Sequence, residues 1–325
     1  MNALLKLGVS GIFAISCCCS FAQRSLENYP IKPVRIITGS VGIFHDIVTR
    51  HLGQRLSERW GQPVIIENQP AAALTIGTGI AARATPDGYT LLMSDRSALA
   101  VAPHLYKKIA YDPVKDFSPI TLAALTGTML VAHPSLPANS LSELVTYAKS
   151  QPQAVQFATA GPGTNNHIAM ELFKHATGIN AIAVHYKGGA QSGLGIMSGE
   201  VKVGFAALAG ILPHVKAGRV KAFIITSRQR FQGAPDVPTA AEVGLPGSEL
   251  QFWIGMLAPA KTPPGLIARL NREIGEVLQT PEMQKALYRQ GAEAAPGTPE
   301  AFGAFIRSES AKMKNLIDLT GMRVE

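Results

Sequence analysis

The chain predicts an α/β fold in which βα units surround mostly parallel sheets, arranged as two lobes. Three observations carry that expectation. Short β-branched runs alternate with longer amphipathic stretches from Val34 onward. Three glycine-rich loops each follow an expected strand and open an expected helix. A chain of 325 residues is long enough for two hydrophobic cores.

Val34 to Ile37 reads as the first strand. The spacing predicts a helix over Asp46 to Trp60, with Val48, Leu52, Leu56 and Trp60 on one face and Gly61 as its stop. Val64 to Glu67 and Thr90 to Met93 follow as strands, the latter introduced by a turn at Pro86-Asp87-Gly88. The apolar run Thr126 to Ala132 suits a crossing between lobes. Ser140-Leu141-Ser142-Glu143 supplies a capping box for a helix reaching about Ser150. Val155 to Thr159, Ile182 to Val184, Val203 to Phe205 and Phe223 to Thr226 complete the strand set, and a second crossing fits Phe252 to Ala258. Thr262-Pro263, Thr280-Pro281 and Thr298-Pro299 each place an N-cap residue before a proline, which marks three helix starts in a helical tail. The division expected from this is residues 23–125 with 252–325 in one lobe and 126–251 in the other.

The loops are where chemistry is expected. A helix N-terminus presents unpaired backbone N–H groups and the positive end of the helix dipole, and so attracts carboxylates and phosphates. The first loop is Thr38-Gly39-Ser40-Val41-Gly42-Ile43-Phe44-His45-Asp46. The second, Thr159-Ala160-Gly161-Pro162-Gly163-Thr164-Asn165-Asn166-His167, is the richest in small and hydrogen-bonding residues. The third is Tyr186-Lys187-Gly188-Gly189-Ala190-Gln191-Ser192. A tight turn that needs glycine for its backbone angles is the alternative for any one of them. Three in one α/β chain favour binding.

Met1 to Ala22 has the layout of a secretory signal peptide: one charge, Lys6, an apolar run from Leu7 to Ala14, and small residues Ser20 and Ala22 before Gln23. The run is too short for a membrane span. Lipoprotein processing at Cys17 is the alternative, with Ala14 where such sites carry a bulkier aliphatic. All three cysteines lie in this leader, so a mature chain starting at Gln23 excludes disulfides, zinc thiolates and a cysteine nucleophile.

Removing Lys6 leaves 29 basic against 22 acidic residues, a net charge of +7, which favours encounter with anions. The basic residues are scattered, with no aromatic-interleaved stripe of the kind nucleic acid requires. Enzyme signatures are weak. Gly77-Thr78-Gly79-Ile80-Ala81-Ala82 has the form of a dinucleotide fingerprint, with Asp95 downstream, but begins some nine residues after its strand. The eight histidines have no metal-ligand spacing with nearby carboxylates; His167 and His175, eight apart on one helix, suit packing. Ser40, His45 and Asp46 are too close in sequence for a triad to be assumed, and no nucleophile elbow is present. No catalytic residue, cofactor or metal is expected.

An ordered series of short segments then points to a family. Tyr29-Pro30-Ile31-Lys32-Pro33-Val34-Arg35, Leu56-Ser57-Glu58-Arg59-Trp60-Gly61-Gln62-Pro63-Val64, Pro86-Asp87-Gly88-Tyr89-Thr90-Leu91-Leu92, Tyr186-Lys187-Gly188-Gly189, Pro235-Asp236-Val237-Pro238-Thr239, Glu242-Val243-Gly244-Leu245-Pro246-Gly247, Trp253-Ile254-Gly255 and Ala258-Pro259-Ala260-Lys261-Thr262-Pro263-Pro264 occur in this order. The chain resembles the substrate-binding receptors of tripartite tricarboxylate transporters, the Bug receptors. The resemblance implies a type II periplasmic-binding-protein fold: two Rossmann-like lobes with a ligand cleft at the hinge. It implies a periplasmic monomer that captures a small organic acid for two integral-membrane transporter subunits. A metabolite-sensing receptor and an exported enzyme are the alternatives. Carried over by position, Ser40, Val41, Gly42 and Asp46 would come from one lobe, with Ala160, Gly161, Gly163, Thr164 and His167 from the other. Two stretches depart from the family. Thr38-Gly39-Ser40-Val41-Gly42-Ile43 replaces a Pro-Phe-Pro-Pro-Gly-Gly type segment, and Gln69-Pro70-Ala71-Ala72-Ala73-Leu74 replaces Arg-Pro-Gly-Ala-Gly-Gly. Both exchanges favour a more apolar side to the cleft, and so a mono- or dicarboxylate with an apolar or aromatic portion.

Overall fold

The computed structural model of the chain describes residues 28–39, 41, 44–69, 74–245 and 250–321. The expected signal peptide, and Ser40 and Gly42 of the first loop, lie outside the described residues.

The chain forms β1 (Val34–Thr38), α1 (Phe44–Trp60), β2 (Val64–Asn68), α2 (Thr75–Ala82) and β3 (Thr90–Asp95). A π-helical turn, Ser97–Val101, leads into a short α3 (Ala102–Leu105). Then come β4 (Phe117–Thr126), β5 (Thr128–Ala132), α4 (Leu141–Ser150), β6 (Val155–Thr159), α5 (Asn165–Thr177), β7 (Ala181–His185), α6 (Gly189–Ser198), β8 (Val203–Ala207), α7 (Leu208–Lys216) and β9 (Lys221–Ile225). The last part is β10 (Phe252–Pro259), α8 (Pro264–Leu278), α9 (Pro281–Arg289), β11 (Ala292–Ala294) and α10 (Pro299–Thr320).

Two sheets result. One has six strands in the order β11-β4-β10-β3-β1-β2, and the other has five in the order β7-β6-β8-β5-β9. In the first, β1 runs parallel to both β2 and β3, while β10 runs antiparallel to β3 and β4. In the second, β6 runs parallel to both β7 and β8, and β5 runs antiparallel to β8 and β9. In each sheet one strand, β1 or β6, therefore has its two successors on opposite sides. Such a switch point leaves a crevice outside the carboxyl ends of the strands. The first loop leaves β1 and the second leaves β6, so both open at a switch point.

Packing explains why these segments are ordered. Val48, Leu52 and Leu56 of α1 are buried against β1 and β3, as their spacing requires. Each buried leucine contributes about 2 kcal/mol. Gly77 sits where a Cβ would meet Ile37 Cγ2 at 3.1 Å, so the Gly77-Thr78-Gly79 run serves close helix-on-sheet packing within α2. One continuous apolar cluster contains Ile37, Leu92 and Trp253 of the first sheet and Leu130, Phe157 and Phe205 of the second. Among the described residues, no helix is long and apolar enough to cross a membrane.

Caps follow the expected chemistry at three of four sites. Ser140, Thr280 and Thr298 each accept a hydrogen bond from the backbone N–H three residues on. Glu143 reaches back to the N–H of Asn139, one residue before the cap. Thr262 departs from expectation: its hydroxyl donates to the Pro259 carbonyl, and α8 starts after Pro263 instead. Gly127 splits the Thr126 to Ala132 run, so that Thr126 ends β4 in one sheet and Thr128 begins β5 in the other. The tail also holds a strand, β11, at the edge beside β4.

Candidate functional site

The second loop is built almost entirely from its own backbone. Gly161 (φ +121°) and Gly163 (φ +70°) occupy angles that side-chain-bearing residues rarely adopt. Thr164 is the N-cap residue of α5, but its hydroxyl donates to the Gly161 carbonyl at 2.7 Å and does not cap the helix. The N–H groups of Asn165, Asn166 and His167 are thus left at the positive end of a 13-residue helix. Ala160 is half-buried and Gly161 buried at the strand exit.

Two imidazoles hold this loop in shape. Gly163 N–H donates to His167 Nδ1 at 3.1 Å, so that nitrogen must carry a lone pair. Burial lowers the His167 pKa below the ordinary histidine value, and the neighbouring His185 lowers it further. Glu171, 3.8 Å from His167 Nε2, opposes the shift. His185 lies edge-on to His167 with ring centroids 5.0 Å apart, and its Nδ1 meets Thr159 Oγ1 at 2.6 Å. His175, eight residues on and expected to pack, is instead exposed.

The third loop adjoins the second because β6 and β7 pair with Thr159 opposite His185. Gly188 (φ +109°) turns the chain, and Lys187 N–H donates to Gln191 Oε1 at 3.2 Å. The second and third loops therefore lie side by side at the carboxyl ends of neighbouring strands.

The first loop is closed differently. Asp46, buried in the first turn of α1, accepts from Asn68 Nδ2 at 2.8 Å and pairs with Arg50 Nε at 2.8 Å. Asn68 Nδ2 also donates to the Gly39 carbonyl at 2.7 Å, which ties the end of β2 to the loop after β1. His45 Nε2 donates to Asp95 Oδ2 at 2.7 Å, and its ring packs edge-on against Phe252. His45 thus pairs with the distant Asp95, while Ser40 lies outside the described residues. Val41 is exposed at the loop.

The two sheets meet near these loops. A Cβ on Gly163 would lie 2.9 Å from Leu105 Cδ2, so the end of α3, on the chain leaving β3, touches the second loop. At the root of that segment Arg96 is fully buried, with Nη1 donating to the Gln251 carbonyl at 3.1 Å. Asn68, His185, Leu105 and Arg96 were not singled out by sequence reasoning. Arg96 carried a readable signal, an ionisable residue directly after an apolar strand; the other three make contacts set by tertiary structure. Among the described residues no cluster of histidine, cysteine, aspartate or glutamate fits a metal ion.

Comparison with known proteins places this geometry among receptors. Residues 48–322 match the model of the tripartite tricarboxylate transporter family receptor. The chain is 33% identical to protein BugT of Bordetella pertussis over 327 residues, covering all of both chains. Among solved structures it is similar to an R. palustris protein determined with adipate, at 28% identity and TM-score 0.81, covering 91% of this chain and 99% of that one. It is also similar to MatC from Rhodopseudomonas palustris with bound malate, at 28% identity and TM-score 0.76, covering 89% and 100%.

Proposed function

Because this chain belongs to the tripartite tricarboxylate transporter receptor family, a family of solute-binding receptors, we propose that it captures a small organic acid in the periplasm and delivers it to two integral-membrane transporter subunits. The observation that carries this reading is the uncapped N-terminus of α5, where Thr164 turns its hydroxyl away and leaves three N–H groups beside a switch point. The adipate and malate bound by similar proteins support a carboxylate as the ligand.

In this reading each sheet is the core of a lobe, 23–125 with 252–325 forming one and 126–251 the other. Ser40, Val41, Gly42 and Asp46 belong to one wall of the cleft, with Ala160, Gly161, Gly163, Thr164 and His167 on the facing wall. The backbone N–H groups receive the carboxylate, directly or through water. Asp46 and His167 hold their loops in shape. Ligand bridging the walls favours the closed form by its differential contacts. A cavity of about 250 Å³ beside the crossings, lined by Thr126, Gly127, Ser227, Arg228 and Gln251, lies where lobe motion would be absorbed. The leader through Ala22 directs export, and the mature monomer binds without chemical change.

The test is native mass spectrometry of protein purified from its own host, followed by thermal-shift titration with the acid identified. A carboxylate that raises the melting temperature and is recovered unaltered is the expected result. A bound molecule without a carboxylate, or turnover of the acid, would overturn the reading.

A further inference from the structure

Arg96 immediately follows β3, one of the two strands flanking the first switch point. β3 pairs with β1 in parallel, so Arg96 leaves the sheet at the same end as the first loop. The segment that Arg96 opens runs through α3 to Leu105, against Gly163 of the second loop. Arg96 therefore lies at the carboxyl end of β3, at the root of the segment that reaches the second loop.

Its chemistry is unusual for a buried residue. The side chain is 0% exposed. Nη1 is satisfied by the Gln251 carbonyl, at the start of the strand returning to the first sheet. Among the described residues, Nε and Nη2 are both buried without a hydrogen-bond partner. These two atoms form one edge of the guanidinium, the fork that takes a carboxylate through two parallel hydrogen bonds. Glu309 and Asp95 lie near enough to favour the charged form, but their hydrogen bonds go elsewhere: Asp95 to His45 and to the N–H of Ala98, and Glu309 to Trp253 Nε1. Burial pushes the Arg96 pKa down to about 10, so the group remains a cation at neutral pH. A buried cation whose bidentate edge is unmatched is costly to keep unless an anion completes it.

We propose that Arg96 is a specificity-determining residue whose Nε/Nη2 edge receives a second carboxylate of the bound acid, which selects dicarboxylates over monocarboxylates. This rests on the carboxylate-binding reading above and adds a charge requirement to it. One carboxylate sits at the α5 N-terminus and the other reaches Arg96 at the carboxyl end of β3. Arg96 is fully buried in this form, so access to it comes with opening of the hinge.

The test compares wild type, Arg96→Met and Arg96→Lys by calorimetric titration with straight-chain dicarboxylates of about four to eight carbons and the monocarboxylate of each length. Wild type is expected to prefer the dicarboxylate by about 10- to 100-fold at its best length. Arg96→Met should bring that ratio close to one while keeping the monocarboxylate affinity. Arg96→Lys, which retains charge without the fork, should fall between. Ligand-free Arg96→Met should melt at or above the wild-type temperature, because a desolvated guanidinium with two unbonded N–H edges is replaced by an apolar chain of similar length. An unchanged dicarboxylate preference in Arg96→Met, or a ligand-free variant that melts several degrees lower, would overturn the proposal and assign Arg96 a structural role. Failure of wild type to bind any acid would instead sink the carboxylate reading on which it rests.

Discussion

The first and second loops are alike in sequence pattern and opposite in electrostatics. Both follow the central strand of a switch point and open a helix. In the first, the helix N-terminus already holds an anion of its own, the buried carboxylate of Asp46, which is matched by Arg50 and Asn68. In the second, the capping hydroxyl is turned back onto the loop, and a neutral imidazole fixes the glycine turn. The positive end of α5 is thus available to an external anion, whereas that of α1 is largely answered from within. A glycine-rich loop before a helix is consequently a place where an anion can sit; the side chains around it decide whether that anion is a ligand or part of the protein.

The sharpest way to break this contrast is Gly163→Val. The substitution forces a β-branched residue to φ +70° and drives its side chain into Leu105. Strain and overpacking together should cost about 2–4 kcal/mol, measured by urea denaturation, and the carboxylate-induced rise in melting temperature should disappear. Retention of that rise would show the second loop to be only a turn. Asp46→Ala comes next. Removing a buried carboxylate that is hydrogen-bonded and ion-paired should destabilise by about 1–3 kcal/mol, yet it leaves the α5 terminus untouched. The carboxylate response should therefore weaken, through the wall that Asp46 shapes, but persist once measured at a temperature where the variant is folded; its complete loss would mean that the two loops are not divided as described.

Much of this architecture was legible because local chemistry and tertiary packing agree. The one-face spacing of Val48, Leu52 and Leu56 became the buried stripe of α1, and Ser140, Thr280 and Thr298 cap their helices through the expected N–H groups. Thr262 failed because the chain leaving β10 bends at Pro259, whose carbonyl claims its hydroxyl. The β11 strand was hidden because three residues at a sheet edge carry too little pattern to distinguish from a turn. For the site, glycine spacing indicated where the loops would be but not how they are closed. The pairing of His167 with His185 spans 18 residues, and the approach of Leu105 to Gly163 joins two sheets. Neither leaves a mark in any short window of sequence.

Acidification probes the same difference more gently. The His167 pKa is lowered in the folded protein by burial and by His185. Its folded-state value lies below that of the unfolded chain, near the ordinary value of about 6.5. The resulting stability is full above the unfolded value and is lost as pH falls from there through the folded value. Protonation at Nδ1 also turns an acceptor into a donor facing Gly163 N–H. Urea denaturation of ligand-free protein should show this acid limb, and His167→Asn, which offers an Oδ1 acceptor without titrating, should flatten it. An identical limb in the variant would assign the titration to another group.

The smallest effect is expected at Gly189, in the third loop. It is the first residue of α6; its φ lies outside the left-handed range, and a Cβ built on it meets nothing within 4 Å. Gly189→Ala should change stability by no more than about 0.5 kcal/mol, in contrast to Gly163, where both the backbone angle and the space are denied. The same reasoning separates Gly188, held at φ +109°, from its neighbour. Denaturation midpoints for Gly188→Ala and Gly189→Ala should differ, the former being the less stable. Equal midpoints would indicate that the third loop reshapes freely and lacks the fixed geometry needed to sit beside the second.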